Sequence, residues 1–229
     1  SKLGPFWITI SMGVMIAMIG LVFGQVFKAP MTEYLPFLAT GIILWNFMSA
    51  TVLEGSSAFV EAHGMIRQLN LPLSLYLLRV LWRNIVICAH NMMIIPVVFL
   101  FVGKGLTINF LWVFPGLIIL VMTSFSSIVL LGTVSTRFRD MPQIINSLLQ
   151  VFFYVTPIIW MPNTVSGRSA ILLVETNPIY HLLQLVRAPI LGYSPTLTNW
   201  SVSLILLFIV SFIAFCFFGN YKKRIAYWL

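Results

Sequence analysis

Hydrophobic positions along the chain come in long blocks, and the charged positions fall between them. Six stretches hold no Asp, Glu, Lys or Arg for at least twenty residues: 3–27, 34–53, 84–103, 105–136, 141–167 and 188–221. Every other charge-free gap is about ten residues or shorter. A run of about 20 apolar residues crosses the hydrocarbon core of a bilayer, and a charge at its centre costs about 3 kcal/mol or more. The pattern predicts an all-α integral membrane protein, one transmembrane domain over residues 1–229. Its six transmembrane helices are expected over about 5–27, 35–53, 75–102, 110–135, 143–160 and 200–219. A transmembrane β-barrel would show short segments of strict alternation, which these continuous runs exclude.

The polar positions add detail. Gly13, Ala17, Gly20 and Gly24 are spaced 4, 3 and 4 and share one face of the first span. Small residues so placed let a second helix approach closely, either within one subunit or at a subunit interface. After the second span the pattern turns amphipathic over 54–70. Val52, Phe59, Ile66 and Leu69 recur at 7, 7 and 3, and Glu54, Ser57, Glu61 and Gln68 at 3, 4 and 7. Such a helix lies on a membrane surface or against a partner; a solvated surface helix is the alternative. In the third span His90 and Asn91 are expected to hydrogen-bond between helices. The fifth run follows the charged cluster Arg137, Arg139 and Asp140 and ends in Thr156-Pro157 and Trp160-Met161-Pro162. Residues 161–199 form two short apolar pieces, 170–174 and 179–191, separated by Glu175-Thr176-Asn177-Pro178. Pieces of that length predict short re-entrant helices rather than spans.

Composition agrees with the pattern. The 229 residues are 60% hydrophobic and 8% charged, against roughly 25% charged in soluble domains. The net charge of +8 has a cause other than nucleic acid. With six spans both termini share a side. That side carries Lys2, Arg67, Arg79, Arg83, Arg137, Arg139, Lys222, Lys223 and Arg224. The other carries only Lys28, Lys104, Arg168 and Arg187. The positive-inside rule makes the richer side cytoplasmic, so both ends are expected inside. Cys88 and Cys216 sit in hydrophobic runs and read as apolar packing residues. The chain begins with Ser, so a preceding N-terminal piece is expected.

Catalytic signatures are absent. There is no GxxxxGK[ST] phosphate loop, no HExxH and no GxSxG. The five acidic residues lie at segment ends, whereas proton or sodium coupling draws on carboxylates or broken helices at mid-depth. A passive conduit, or a subunit driven by another protein, is what remains. No metal or cofactor is expected on this chain.

Several local sequences, in order, resemble the membrane subunit of a type-2 ABC exporter, in the branch that moves polysaccharides across the bacterial inner membrane. They are SKLGPFW at 1–7, EAHGMIRQLNLP at 61–72, TRFRD at 136–140, YVTPI at 154–158, NPIYH at 177–181, and Arg187. His63 stands where the family usually has Asn, and the family's basic amphipathic helix before the first span is not in this sequence. The resemblance implies a homodimer joined to two copies of a separate ATPase subunit, which carries the ATP and Mg. Its cargo would be a lipid-linked glycan: an O-antigen, a capsular chain or a teichoic acid. Segment 54–70 becomes the coupling helix, with Glu54, Phe59, Glu61, Ile66, Arg67 and Gln68 as contacts. Arg137, Arg139 and Asp140 then support a second contact or a headgroup anchor. Trp45, Phe152, Tyr154 and Trp160 become channel candidates, because an aromatic face stacks on a sugar ring; the same residue types also serve as interfacial anchors. Asn177, Pro178 and Arg187 belong to the predicted periplasmic gate. A lipid or drug exporter of the same architecture, and a membrane enzyme acting on lipid-linked sugars, are the other readings.

Overall fold

The computed structural model describes residues 4–68, 71–103, 105, 107–162, 172 and 174–228. All regular structure among them is helical. The elements are α1 (Gly4–Val26), α2 (Met31–Glu61), α3 (His63–Gln68), α4 (Leu73–Met92), α5 (Ile94–Val102), α6 (Val113–Arg137), α7 (Met141–Val155), α8 (Pro178–Leu191) and α9 (Leu197–Trp228). A 3-10 turn, Ile108–Trp112, leads into α6.

Among the described residues, five helical stretches are long and apolar enough to cross a membrane: α1, α2, α4 with α5, the 3-10 turn with α6, and α9. The expected sixth span, 143–160, differs. Its helix, α7, stops at Val155 after 15 residues and is about 22 Å long, short of the ~30 Å hydrocarbon core. Pro157 is the reason: it lacks an N–H and disfavours helical geometry at Thr156 before it. Residues 156–160 continue without helix.

Other boundaries also shift. The second span and the amphipathic segment are one helix: α2 runs unbroken through Glu54 to Glu61, turns at Ala62, and resumes as α3. Leu69 and Asn70, the end of the predicted coupling helix, lie outside the described residues. The third span is broken at Met93, three residues before Pro96, whose missing N–H leaves the carbonyl of Met92 without its helical partner. In the outer segment, 170, 171 and 173 of the first apolar piece lie outside the described residues. The second piece is α8. The last span is longer than expected, because α9 carries its helix through Lys222, Lys223 and Arg224 to Trp228.

α2 is the axis of the packing. It touches α1, α4, α5, α6, α7 and α8, and 67% of its most apolar window is buried, against 17% for α1 and 11% for α9. α2 and α6 approach so closely that glycine is required at the crossing. A Cβ on Gly55 would strike the side chain of Ile128, and one on Gly132 would stand 2.9 Å from the Gly55 carbonyl. α9 lies along α6, with Ser126 and Ser211 hydrogen-bonded at 2.8 Å and Trp112 edge-on to Trp200 at 5.6 Å. At the end rich in arginine, the basic end, Arg83 pairs with Glu54 at 2.6 Å. The apolar residues left exposed concentrate on α1 and α9, among them Val14, Met18, Leu21, Phe208 and Phe212. In a bilayer, that surface costs nothing against lipid.

Candidate functional site

α7 divides into three faces around its axis. Ile145, Leu149 and Phe153 turn toward the subunit, and Ile145 is buried. Ile144, Leu148 and Val151 form an exposed apolar face. Gln143, Asn146, Ser147, Gln150 and Tyr154 form a third face, exposed and polar, within a run that carries no charge. Ordinary lipid-facing helices do not hold such a stripe, since intramembrane polar groups face a bundle interior or a water-filled cavity. Beside the stripe is a groove of about 370 Å³, lined by Trp45, Ser49 and Leu53 of α2 and by Asn146, Gln150 and Tyr154 of α7. The buried Trp45 ring leans on Phe153 at 5.8 Å.

The non-helical stretch beyond α7 is held by distant side chains. Tyr34 of α2 donates its hydroxyl to the Ile159 carbonyl at 2.7 Å. Arg187 of α8 donates Nη1–H to the Pro157 carbonyl at 2.7 Å. Asn177 donates from Nδ2 to the Thr156 hydroxyl at 2.9 Å, while its Oδ1 accepts from Ile179 and Tyr180 and caps α8. Pro178 is the first residue of α8, where a missing N–H is harmless. Trp160 donates Nε1–H to the Tyr154 carbonyl at 3.1 Å. Broken backbone at membrane depth is tolerated only when buried in protein with its polar groups satisfied; this network satisfies the carbonyls of Pro157 and Ile159.

Arg187 is the centre of that lock. It is fully buried. Its guanidinium lies 4.2 Å over the Phe37 ring and bonds Gln184 at 3.3 Å. Nη2 has no partner among the described residues. Gly41 lets α2 pass close by: a Cβ there would meet the Ile158 carbonyl at 3.3 Å and Arg187 Nη1 at 3.5 Å.

At the basic end the expected coupling residues separate. Phe59 is fully buried in the core, and Ile66 is half-buried against it. The Glu54 carboxylate is engaged by Arg83 and by Asn84 Nδ2, each at 2.6 Å. Glu61, Arg67 and Gln68 remain exposed, with Glu61 accepting from the Ser57 hydroxyl at 2.7 Å. Arg137, Arg139 and Asp140 are exposed on the turn between α6 and α7.

The remaining expected residues scatter. Gly20 and Gly24 are buried against Leu35, Met31 and Tyr34 of α2 in the same chain, whereas Ala17 is exposed and Gly13 half-buried. Among the channel candidates, Trp45 and Tyr154 meet in the groove; Phe152 lies on the side of α7 away from the polar stripe. His90 contacts a carbonyl of its own helix, Val86, at 2.8 Å, and both amide atoms of the buried Asn91 lack a partner among the described residues, so among these residues neither makes the expected bond to another helix. Cys88 is buried and Cys216 exposed, both free. The sequence reading passed over Asn146, Ser147 and Gln150. Their signal was present: 143, 146, 147, 150 and 154 keep helical spacing inside a charge-free run.

A multi-pass bundle with a polar stripe facing out of its own core defines a membrane transport subunit. The sequence profile described as ABC-2 type transporter matches residues 1–191, and the chain belongs to that family. It is thus the membrane permease part of such a transporter, without a catalytic role, and membership implies a partner ATPase subunit. Among curated relatives, an O-antigen export system permease protein RfbA of Myxococcus xanthus is 22% identical over 92% of this chain and 84% of its own length. A Klebsiella pneumoniae protein of the same description is 24% identical over 99% of this chain and 87% of its own length. A second Klebsiella pneumoniae protein so described is 25% identical, covering 80% and 71%.

Proposed function

We propose that this chain is the conducting subunit of an ATP-driven exporter that moves a lipid-linked, O-antigen-like polysaccharide across a bacterial inner membrane. It works as a homodimer with two copies of a separate ATPase, and both termini face the cytoplasm. The observation that carries this reading is the polar stripe of α7 beside Trp45. Amides and hydroxyls at membrane depth suit a cargo made of hydroxyls, and the exposed ring of Tyr154 suits a sugar ring. The names of the relatives support the choice of cargo.

The mechanism follows from how α7 is attached. Its basic end joins the Arg139-Asp140 turn, and its far end joins the stretch locked by Tyr34, Asn177 and Arg187. ATP and Mg stay on the partner ATPase. A push on α3, at Glu61, Arg67 and Gln68, and on the 137–141 turn displaces α7 from one end only. The lock then decides whether the helix tilts as a rigid rod or lets the far end open.

The test is export. Cells lacking the chromosomal copy of this chain, complemented with it, are expected to display long glycan outside. The Asn146→Leu, Gln150→Leu variant is expected to accumulate lipid-linked glycan in the inner leaflet. Normal glycan display in cells without the chain, with loss of lipid or drug efflux instead, contradicts the cargo assignment.

A further inference from the structure

A second cavity, of about 380 Å³, opens at the basic end between α6 and α9. It is lined by Thr133 and Arg137 of α6 and by Phe217, Tyr221, Arg224 and Trp228 of α9. Neither arginine makes a hydrogen bond or an ion pair among the described residues, and no carboxylate lines the cavity. The arginines are held instead by rings. The Arg137 guanidinium lies 5.5 Å over Trp228, and that of Arg224 6.0 Å from Tyr221. Tyr221 in turn packs on Phe217 at 4.6 Å and on Trp228 at 5.6 Å. The aromatic frame fixes where two cations stand without neutralising them.

Depth can be read from the register of the two helices. α6 and α9 run in the same direction and are pinned at Ser126 and Ser211, near the middle of α6. Arg137 is eleven residues beyond Ser126, and Lys222 is eleven beyond Ser211. Eleven helical residues rise about 16 Å, half of the ~30 Å hydrocarbon thickness. The cavity therefore stands at headgroup depth, where lipid phosphates are. Two uncompensated guanidiniums with planar donor forks match phosphate oxygens, and basic pockets between transmembrane helices hold anionic headgroups.

We propose that this cavity binds the phosphate of an anionic phospholipid headgroup from the leaflet at the basic end. Arg137 and Arg224 contact the phosphate oxygens, and Phe217, Tyr221 and Trp228 line the passage of the glycerol and upper chain. The site takes a lipid of the bilayer, not the exported cargo, and is independent of what the cargo is. It also gives Arg137 a task separate from its neighbours Arg139 and Asp140 on the turn.

The test uses the full chain in detergent, titrated with phosphatidylglycerol, phosphatidylcholine or inorganic phosphate and read by native mass spectrometry. One phosphatidylglycerol per chain is expected to survive, with phosphatidylcholine retained far less. Arg137→Gln with Arg224→Gln is expected to weaken retention about thirtyfold, from two arginines each at the membrane-surface value. Arg139→Gln, outside the cavity, leaves it unchanged. If the double variant fails to fold, Arg224→Gln alone, on an exposed helix end, is expected to weaken retention about fivefold. Equal retention of both lipids overturns the proposal. So does unchanged retention in the Arg224→Gln variant, or displacement of the lipid by millimolar inorganic phosphate.

Discussion

α2 and α7 are both apolar helices without a charge in their central turns, yet the molecule treats them in opposite ways. α2 is packed on nearly every side: residues 36–45 are buried without a break. α7 presents a single buried residue, Ile145. Burial on all sides makes α2 a fixed post, whose fit leaves no room for added atoms. α7 touches the subunit along one face and is fastened at its two ends. The fold is stabilised around α2, while α7 is the helix it presents outward. Only the second arrangement leaves polar side chains free to meet a passing molecule.

The comparison can be broken most severely at the α2–α6 crossing. Gly55→Leu inserts a branched side chain where Ile128 already stands. Overpacking costs about 1–3 kcal/mol and more where backbone cannot yield, so loss of the folded chain is expected in a detergent thermal-melt and gel-filtration assay. The same residue placed on α7, as Asn146→Leu, is expected to leave the melt within about 0.5 kcal/mol. Equal damage at both sites would erase the distinction between post and presented helix.

The lock comes next. Arg187→Ala leaves the Pro157 carbonyl unpaired and a cavity beside Phe37, together worth about 3 kcal/mol. Arg187→Met, which refills the space and removes an uncompensated charge, is expected to recover most of the thermal stability but not export. A Met variant with normal export would reduce Arg187 to packing. On the basic end, Glu61→Ala with Arg67→Ala is expected to weaken ATPase docking by about 2 kcal/mol, measured by co-purification at several protein concentrations, with no change in the melt. The smallest effect is expected for Tyr34→Phe, which removes one hydrogen bond to Ile159 and costs about 1 kcal/mol. A drop as large as that of Arg187→Ala would show that Tyr34, not Arg187, anchors the break.

Much of this was legible along the chain. Charge-free gaps located the five long helical stretches because charge exclusion from hydrocarbon is a local rule. The break at Thr156 differs from the expected span, which ran through Pro157 to Trp160, although the proline acts on its own neighbours. The polar stripe of α7 is equally local, whereas its aromatics do not share one face: Phe152 falls away from the stripe. What was not legible depends on contacts distant in sequence. Tyr34 reaches Ile159 across 125 positions, and Arg187 reaches Pro157 across 30. Phe59 fits an amphipathic surface pattern but is buried, because α2 continues through it instead of ending at the membrane surface. The glycines of α1 show the same limit: spacing places Gly20 and Gly24 on one face, but only the fold supplies α2 as their neighbour.

The polar face of α7 is expected to border water at membrane depth. Single cysteines at positions 143 to 154, in a chain with Cys88 and Cys216 replaced, measure it directly. They are exposed to a membrane-impermeant thiol reagent while the assembled transporter turns over ATP. Rapid labelling is expected at Gln143, Asn146, Ser147, Gln150 and Tyr154, and protection at Ile144, Leu148 and Val151. Labelling with the opposite periodicity, or protection throughout, would contradict it.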